Sequence, residues 1–235
     1  MRMRRKPWAR PELAACPFFM DSPTELAGHW RETFPSDQPL CLELGCGKGA
    51  FLAQAALAHP EINYLGIDLK SDVLGVAKRR IEADFSASGR TVDNIRMFAW
   101  DIDRIAMVLT EADPVDMIQI NFCNPWPKAS YHKKRLTHTR QLLKYRAFLK
   151  EDGIIRFKTD DDALFDASLE YFPAAGFRIE AISRDLHAET EYENFLTEHE
   201  QMFSSQGIPI KFLIARKLPE VPESVATQPE EETEP

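Results

Sequence analysis

Five short apolar runs recur from Leu40 onward: "LCLELGC" (40–46), "NYLGIDL" (63–69), "NIRMFAW" (94–100), "MIQINFC" (117–123) and "GIIRFKT" (153–159). They are nearly continuous rather than alternating, the pattern of strands covered on both faces. Between them lie stretches of helical spacing, Phe51 to Ala58, Asp72 to Phe85, Ile102 to Leu109 and Thr137 to Leu149, long enough for crossovers. That alternation predicts parallel pairing. After Gly153 the pattern adds a helix around Ala163 to Phe172, a strand at Phe177 to Ser183 and a last strand at Ile208 to Arg216. The expected fold is α/β, a seven-stranded, mostly parallel sheet with helices on both faces. Ligands of such open sheets bind beyond the carboxyl ends of the strands.

Those ends carry the chemistry. The first run leads into "LELGCGKGAF", where Gly45, Gly47 and Gly49 let the backbone turn tightly and approach a ligand. Gly45-x-Gly47-x-x-Ala50 also fits the looser nicotinamide dinucleotide fingerprint. Glu43 favours another reading, because Glu-x-Gly-x-Gly-x-Gly resembles the first motif of S-adenosylmethionine-dependent methyltransferases, and an acid suits the cationic amino-acid end of that cofactor. Asp68 ends the second run, where a carboxylate can accept both ribose hydroxyls. Asp101 follows the third, where such enzymes hold the adenine. Taken singly, Asp101 also suits a helix cap before Ile102, and Asp68 a plain polar strand end.

The fourth run passes into "CNPWPKASYHKKR". Two prolines restrict the backbone there, and an amide, an aromatic plane and a basic cluster follow the strand end. Asn124 can accept hydrogen bonds from a base edge, and Trp126 can stack on a base or anchor the loop. Lys128 is placed to hold a phosphate or the base edge. Lys133, Lys134, Arg135 and Arg140 read as phosphate contacts without sequence preference.

Charge and composition narrow the class. The formal charge is −8, but six glutamates and no basic residue lie between Pro219 and Pro235, leaving the rest close to neutral. Four prolines and no aromatic residue in that tail predict disorder. Five cations between Arg2 and Arg10 form a second basic patch, which suits an RNA-reaching arm or a solvated tail. The expected organisation is a basic arm and lead-in (1–39), one domain (40–217) and an acidic tail (218–235). Cys16, Cys41, Cys46 and Cys123 show neither Cys-x-x-Cys pairing nor metal-ligand spacing, so buried thiols and no metal are expected. With no apolar run of membrane-spanning length and no signal-peptide pattern, a cytoplasmic protein is expected.

Six segments, "MRMRRKPWA", "LELGCGKGAF", "NYLGID", "NFCNPWPKASYHKKRLTH", "FKTDD" and "LTEHEQMFSSQGIPI", occur in an order and spacing that resemble the bacterial tRNA (guanine-N7)-methyltransferase family over Met1 to about Lys217. The resemblance implies a Rossmann-like class I methyltransferase fold. It also implies S-adenosylmethionine as cofactor, tRNA as partner and methylation of the guanosine at position 46 in the variable loop. By motif, Glu43, Gly45, Gly47, Asp68, Asp101 and Asn124 are expected at the cofactor, and Lys128, Asp160, Thr197, Glu198, His199 and Glu200 at the substrate. Asn124 and Asp160 are expected nearest the chemistry. Asn124 departs from the family pattern, which commonly has Asp there, so a role requiring negative charge is not carried over.

Guanine N7 has a lone pair and no proton, so its methylation needs positioning rather than a general base. Asp160 and Glu198 or Glu200 are candidates to accept from guanine N1–H and the exocyclic amine. Thr197-x-x-Glu200 is at the same time a helix capping box. Two other readings remain at this stage. Asn-Pro-Trp is similar to the Asn-Pro-Pro-aromatic motif of exocyclic-amine methyltransferases, and a tRNA-binding protein without transfer activity would keep the same fold. The sequence suits a monomer or a homodimer equally.

Overall fold

The computed structural model describes residues 5–222. Residues 1–4 of the basic arm and 223–235 of the acidic tail lie outside the described residues. The strands are β1 (Leu40–Leu44), β2 (Asn63–Asp68), β3 (Ile95–Ala99), β4 (Val115–Asn121), β5 (Leu149–Thr159), β6 (Phe177–Ser183) and β7 (Lys211–Lys217). They form one sheet in the order β3-β2-β1-β4-β5-β7-β6. All pairs are parallel except those of β7, which runs antiparallel to both β5 and β6. Leu44, at the end of β1, lies between Ile67 and Ile120 in register, so three strand ends meet at one level.

The helices are α1 (Ala9–Ala14), α2 (Ala50–Ala58), α3 (Ser71–Ala87), α4 (Thr139–Arg146), α5 (Asp162–Ala174) and α6 (Glu198–Ser204). Two apolar cores follow. One, including Leu13, Phe51, Leu52, Leu74, Ile81 and Phe85, joins α1, α2 and α3 to the sheet. The other gathers Trp30, Phe98, Leu142, Tyr145, Phe165 and Phe172, which brings α4 and α5 to the sheet. Each apolar run is thus covered twice, which is why it shows no alternation.

The lead-in belongs to the same body. Lys6 N donates to Asp72 Oδ1 at 2.7 Å, the Arg79 guanidinium lies 3.6 Å from the Trp8 ring centroid, and Arg79 also pairs with Glu12. Trp30 is fully buried, stacks on Phe98 at 4.6 Å and donates its indole N–H to Val108 O at 2.6 Å. Aromatic burial therefore fixes a segment in which the sequence shows no strand or helix periodicity.

Three expected elements differ. Ile102 to Leu109 is a short 3-10 helix, Ile102–Met107, broken at Arg104 (φ −103°, ψ 24°), whose carbonyl accepts the Trp100 indole N–H at 3.0 Å. The expected helix to Leu149 stops at Arg146, because Leu149 already pairs with Val115 as the start of β5. The last strand begins at Lys211 rather than Ile208.

Candidate active site

Between β1 and β4 the strand order reverses direction, and a cleft of about 720 Å³ opens beyond the carboxyl ends of the first four strands. Its floor begins with Glu43, 2 % exposed, whose Oε1 accepts from Asn121 Nδ2 at 2.8 Å. Glu43 Oε2 is buried and has no partner among the described residues. Burial pushes the Glu43 carboxyl up to about 7, against the hydrogen bond from Asn121 and the charge of Lys158, while Asp68 pushes in the same direction as burial. A buried acceptor without a donor beside an open cleft is a place for a cation.

The glycine loop forms the next wall. Gly47 has φ +53°, and its N–H donates to Asp68 Oδ2 at 3.1 Å. Gly49, with φ +74°, starts α2, and a Cβ there would stand 3.0 Å from Ala77 Cβ of α3, so a side chain would strain both backbone and packing. Asp68 also accepts from Lys70 N at 3.1 Å, and burial raises its carboxyl above the ordinary range. At the far end, Asp101 Oδ1 accepts from Asp103 N at 3.0 Å beside Trp100 and Ile102.

The loop after β4 is held in an unusual backbone. Phe122 and Trp126 have φ of +53° and +44°, conformations that cost non-glycine residues about 1–2 kcal/mol each. Phe122 N–H donates to Lys158 O at 2.9 Å, Trp126 N–H to Asn124 Oδ1 at 3.1 Å, and Arg135 Nε to Pro125 O at 2.7 Å. At the rim of the cleft, Trp126 and Tyr131 approach to 5.7 Å between centroids, and Lys134 Nζ stands 5.4 and 5.1 Å from their rings.

A strap of residues 193–199 crosses above. Its anchor is buried: Lys158 Nζ donates to Asn194 Oδ1 (2.8 Å), Phe195 O (2.9 Å) and Glu200 Oε2 (2.5 Å). Thr197 Oγ1 accepts from Glu200 N at 3.2 Å, completing a capping box. Glu198 turns back over the glycine loop and pairs with both Lys48 and Arg80, and the His199 ring stacks on Phe122 at 6.3 Å.

A family model described as "Putative methyltransferase" matches residues 37–213. A tRNA (guanine-N(7)-)-methyltransferase of Clostridium beijerinckii is 57 % identical over 217 residues, covering 92 % of this chain and 99 % of that one. The protein of the same name from Acetivibrio thermocellus is 48 % identical, covering 92 % and 100 %. The chain belongs to the tRNA (guanine-N7)-methyltransferase family. Solved structures similar in fold include the 16S rRNA methyltransferase KamB (TM-score 0.57, 14 % identity, 77 % of this chain and 89 % of that chain) and the antibiotic-resistance methyltransferase Kmr (0.53, 18 %, 83 % and 91 %). The α/β, Rossmann-like class I fold expected from the resemblance is the one observed.

The structure brings Glu43, Gly45, Gly47, Asp68, Asp101, Asn124, Thr197, Glu198 and His199 to one cleft. It separates three others from its lining. Lys128 is exposed just before a 3-10 helix, Ala129–Lys134. Asp160 follows β5, with Lys211 Nζ on its carbonyl at 3.0 Å and its half-buried carboxyl raised by burial. Glu200 is fully buried and points into the protein. Burial opposes its charge, but Lys158, Asn194 and His187 together hold its carboxyl below the ordinary range. A direct bond from Glu200 to guanine is therefore not available in this structure.

Arg135 is likewise no phosphate contact, since it is 3 % exposed and committed to Pro125 O. Asn121 and Lys158 are the residues that sequence reasoning missed. Each is a buried polar side chain at the carboxyl end of its strand, Asn121 closing β4 and Lys158 next to the end of β5, and that position was the available signal. Among the described residues, no group of three or more His, Cys, Asp or Glu is arranged to hold a metal.

Proposed function

We propose that the chain transfers a methyl group from S-adenosylmethionine to guanine N7 in tRNA, at guanosine 46 of the variable loop. The observation that carries the reading is the buried, unpartnered Glu43 Oε2 under a positive-φ glycine loop, in one cleft with a basic aromatic rim. S-adenosylmethionine supplies a sulfonium-activated methyl group. Glu43 is assigned its amino group, Asp68 the ribose hydroxyls, and the Trp100 to Asp103 segment its adenine.

The residues of the chain then have to orient rather than deprotonate. The N7 lone pair would form the new bond to the methyl carbon as the methyl–sulfur bond breaks, leaving a neutral thioether and the positive charge on the methylated base. Glu198, on the strap that lines the cleft, is the carboxylate assigned to face that developing charge, its field tempered by Lys48 and Arg80, while Asp160 lies just after β5 outside the lining. Lys128, Lys133 and Lys134 provide local attraction for phosphates on a chain whose total charge is negative.

An exocyclic-amine reaction would need the Asn124 oxygen to accept from the attacking nitrogen. That oxygen already accepts the Trp126 N–H, which takes one of its two lone pairs. Transfer of labelled methyl to an unmodified tRNA transcript, followed by nucleoside analysis, tests the N7 reading. Labelled 7-methylguanosine that disappears when the variable-loop guanosine is replaced is the expected result. Label on an exocyclic amine, or no transfer despite cofactor binding, overturns it.

A further inference from the structure

The side chain of Asn124 has one acceptor and one donor group, and among the described residues only the acceptor is used. Trp126 N–H can bond only to Oδ1, so the 3.1 Å contact fixes which way the amide faces. The turn is held on both sides, because Arg135 Nε takes the carbonyl of Pro125 and Lys158 O takes Phe122 N–H. Asn124 itself is exposed on the wall of the cleft. Among the described residues its Nδ2 hydrogens make no bond, while on the strand below Asn121 occupies Glu43.

On the reading that this cleft receives guanine, the edge presented for N7 methylation carries two acceptors, N7 and O6, whereas adenine offers N7 and an amino donor. A donor beside the reacting position therefore matches guanine and opposes adenine. We infer that Asn124 is a specificity-determining residue that donates its Nδ2–H to guanine O6, holding N7 in line with the methyl group. Replacing the amide by a carboxylate has a definite chemical effect: aspartate keeps the acceptor for Trp126 N–H and loses the donor.

The test uses full-length protein and tRNA transcripts carrying guanosine, inosine or 2-aminopurine riboside at the methylated position. Inosine retains N7 and O6 and lacks the 2-amino group; 2-aminopurine retains N7 and lacks O6. The readout is kcat/KM for methyl transfer by wild type, Asn124→Asp and Asn124→Ser. Both substitutions preserve an oxygen for the turn. Intrinsic nucleophilicity of each base is common to all three proteins and divides out of the comparison.

Wild type is expected to prefer guanosine over 2-aminopurine by about tenfold or more, and Asn124→Asp to reduce that preference several-fold while leaving the guanosine-to-inosine ratio unchanged. Asn124→Ser, with a hydroxyl that can donate at a different reach, is expected to fall between them, and carries the test if the aspartate variant does not fold. An undiminished preference in both variants overturns the inference, as does a wild type that does not discriminate. Failure of wild type to methylate the guanosine transcript at N7 overturns the functional reading itself, and is seen before any variant is compared.

Discussion

Lys158 on β5 and Glu200 on α6 form an ion pair at 2.5 Å, with side chains 6 % and 0 % exposed. The same lysine ammonium holds Asn194 and Phe195, and its backbone carbonyl holds Phe122. One residue therefore fixes the strap from below and the start of the Asn-Pro-Trp loop from the side. Lys158→Met leaves Glu200 buried without its cation and is expected to cost about 3–5 kcal/mol in urea unfolding. Lys158→Met/Glu200→Gln removes both charges and is expected to regain most of that stability while keeping a raised KM for tRNA, since the strap still lacks its anchor. Full recovery of both would confine the pair to stability.

With the amino group of S-adenosylmethionine assigned to Glu43, cofactor binding is expected to depend on pH. Its carboxyl sits at about 7 in the free protein, above its ordinary value of 4.5, through burial and Asp68 and against Asn121 and Lys158. A raised folded value favours the fold fully below about pH 4.5, and this contribution is lost as pH rises through about 7. For binding the sign is opposite, because the ionised form receives the cationic amino group. The dissociation constant of S-adenosylmethionine, followed by calorimetry, is expected to rise toward tenfold per pH unit below about 7. Glu43→Gln is expected to bind weakly with a flat profile, and a sloping profile in that variant would assign the titration elsewhere.

Arg135 and Lys134 are neighbours in sequence with opposite exposures, one 3 % exposed beneath the loop and the other on its outer face. Lys134→Ala is expected to reduce the slope of log affinity for tRNA against log salt by about one. Arg135→Ala is expected to leave that slope unchanged and lower kcat by about tenfold, through a loosened Pro125 carbonyl. Filter binding across salt concentrations and single-turnover kinetics distinguish the two, and equal salt slopes for both variants would contradict the assignment.

Glu198 links the strap to Lys48 of the glycine loop and Arg80 of α3, all three partly exposed. Exposed pairs contribute little to stability, so Glu198→Gln is expected to leave the melting temperature within a few degrees. Its expected effect is faster amide hydrogen exchange in the strap and faster cofactor release, measured by exchange mass spectrometry and stopped flow. Unchanged exchange at residues 194–199 would show that the buried anchor alone sets strap mobility.

Strand identity and the ends of β1 to β4 were legible because burial on both faces leaves continuous apolar runs, as in Leu40–Leu44. That Glu43, Asp68 and Asp101 line one cleft was legible because each stands at or near such an end. Glu200 was misplaced because a capping box and a substrate contact share one pattern, and only burial decides between them. Arg135 was misplaced because sequence gives it the company of Lys133 and Lys134 but not its direction. The lead-in was hidden for a different reason: Trp30 and Phe18 are fixed by contacts with residues far along the chain, which local periodicity does not record.

The antiparallel β7 also sets an order of assembly. Every residue assigned here to the cofactor precedes the end of β5, whereas the strap lies in the connection between β6 and β7. A chain ending short of Lys211 holds the nucleoside wall but lacks the strand that draws the strap back across it. In synthesis from the N-terminus, the wall assigned to the nucleoside is therefore made before the strap that crosses it, and β7 is the last strand of the sheet to be made.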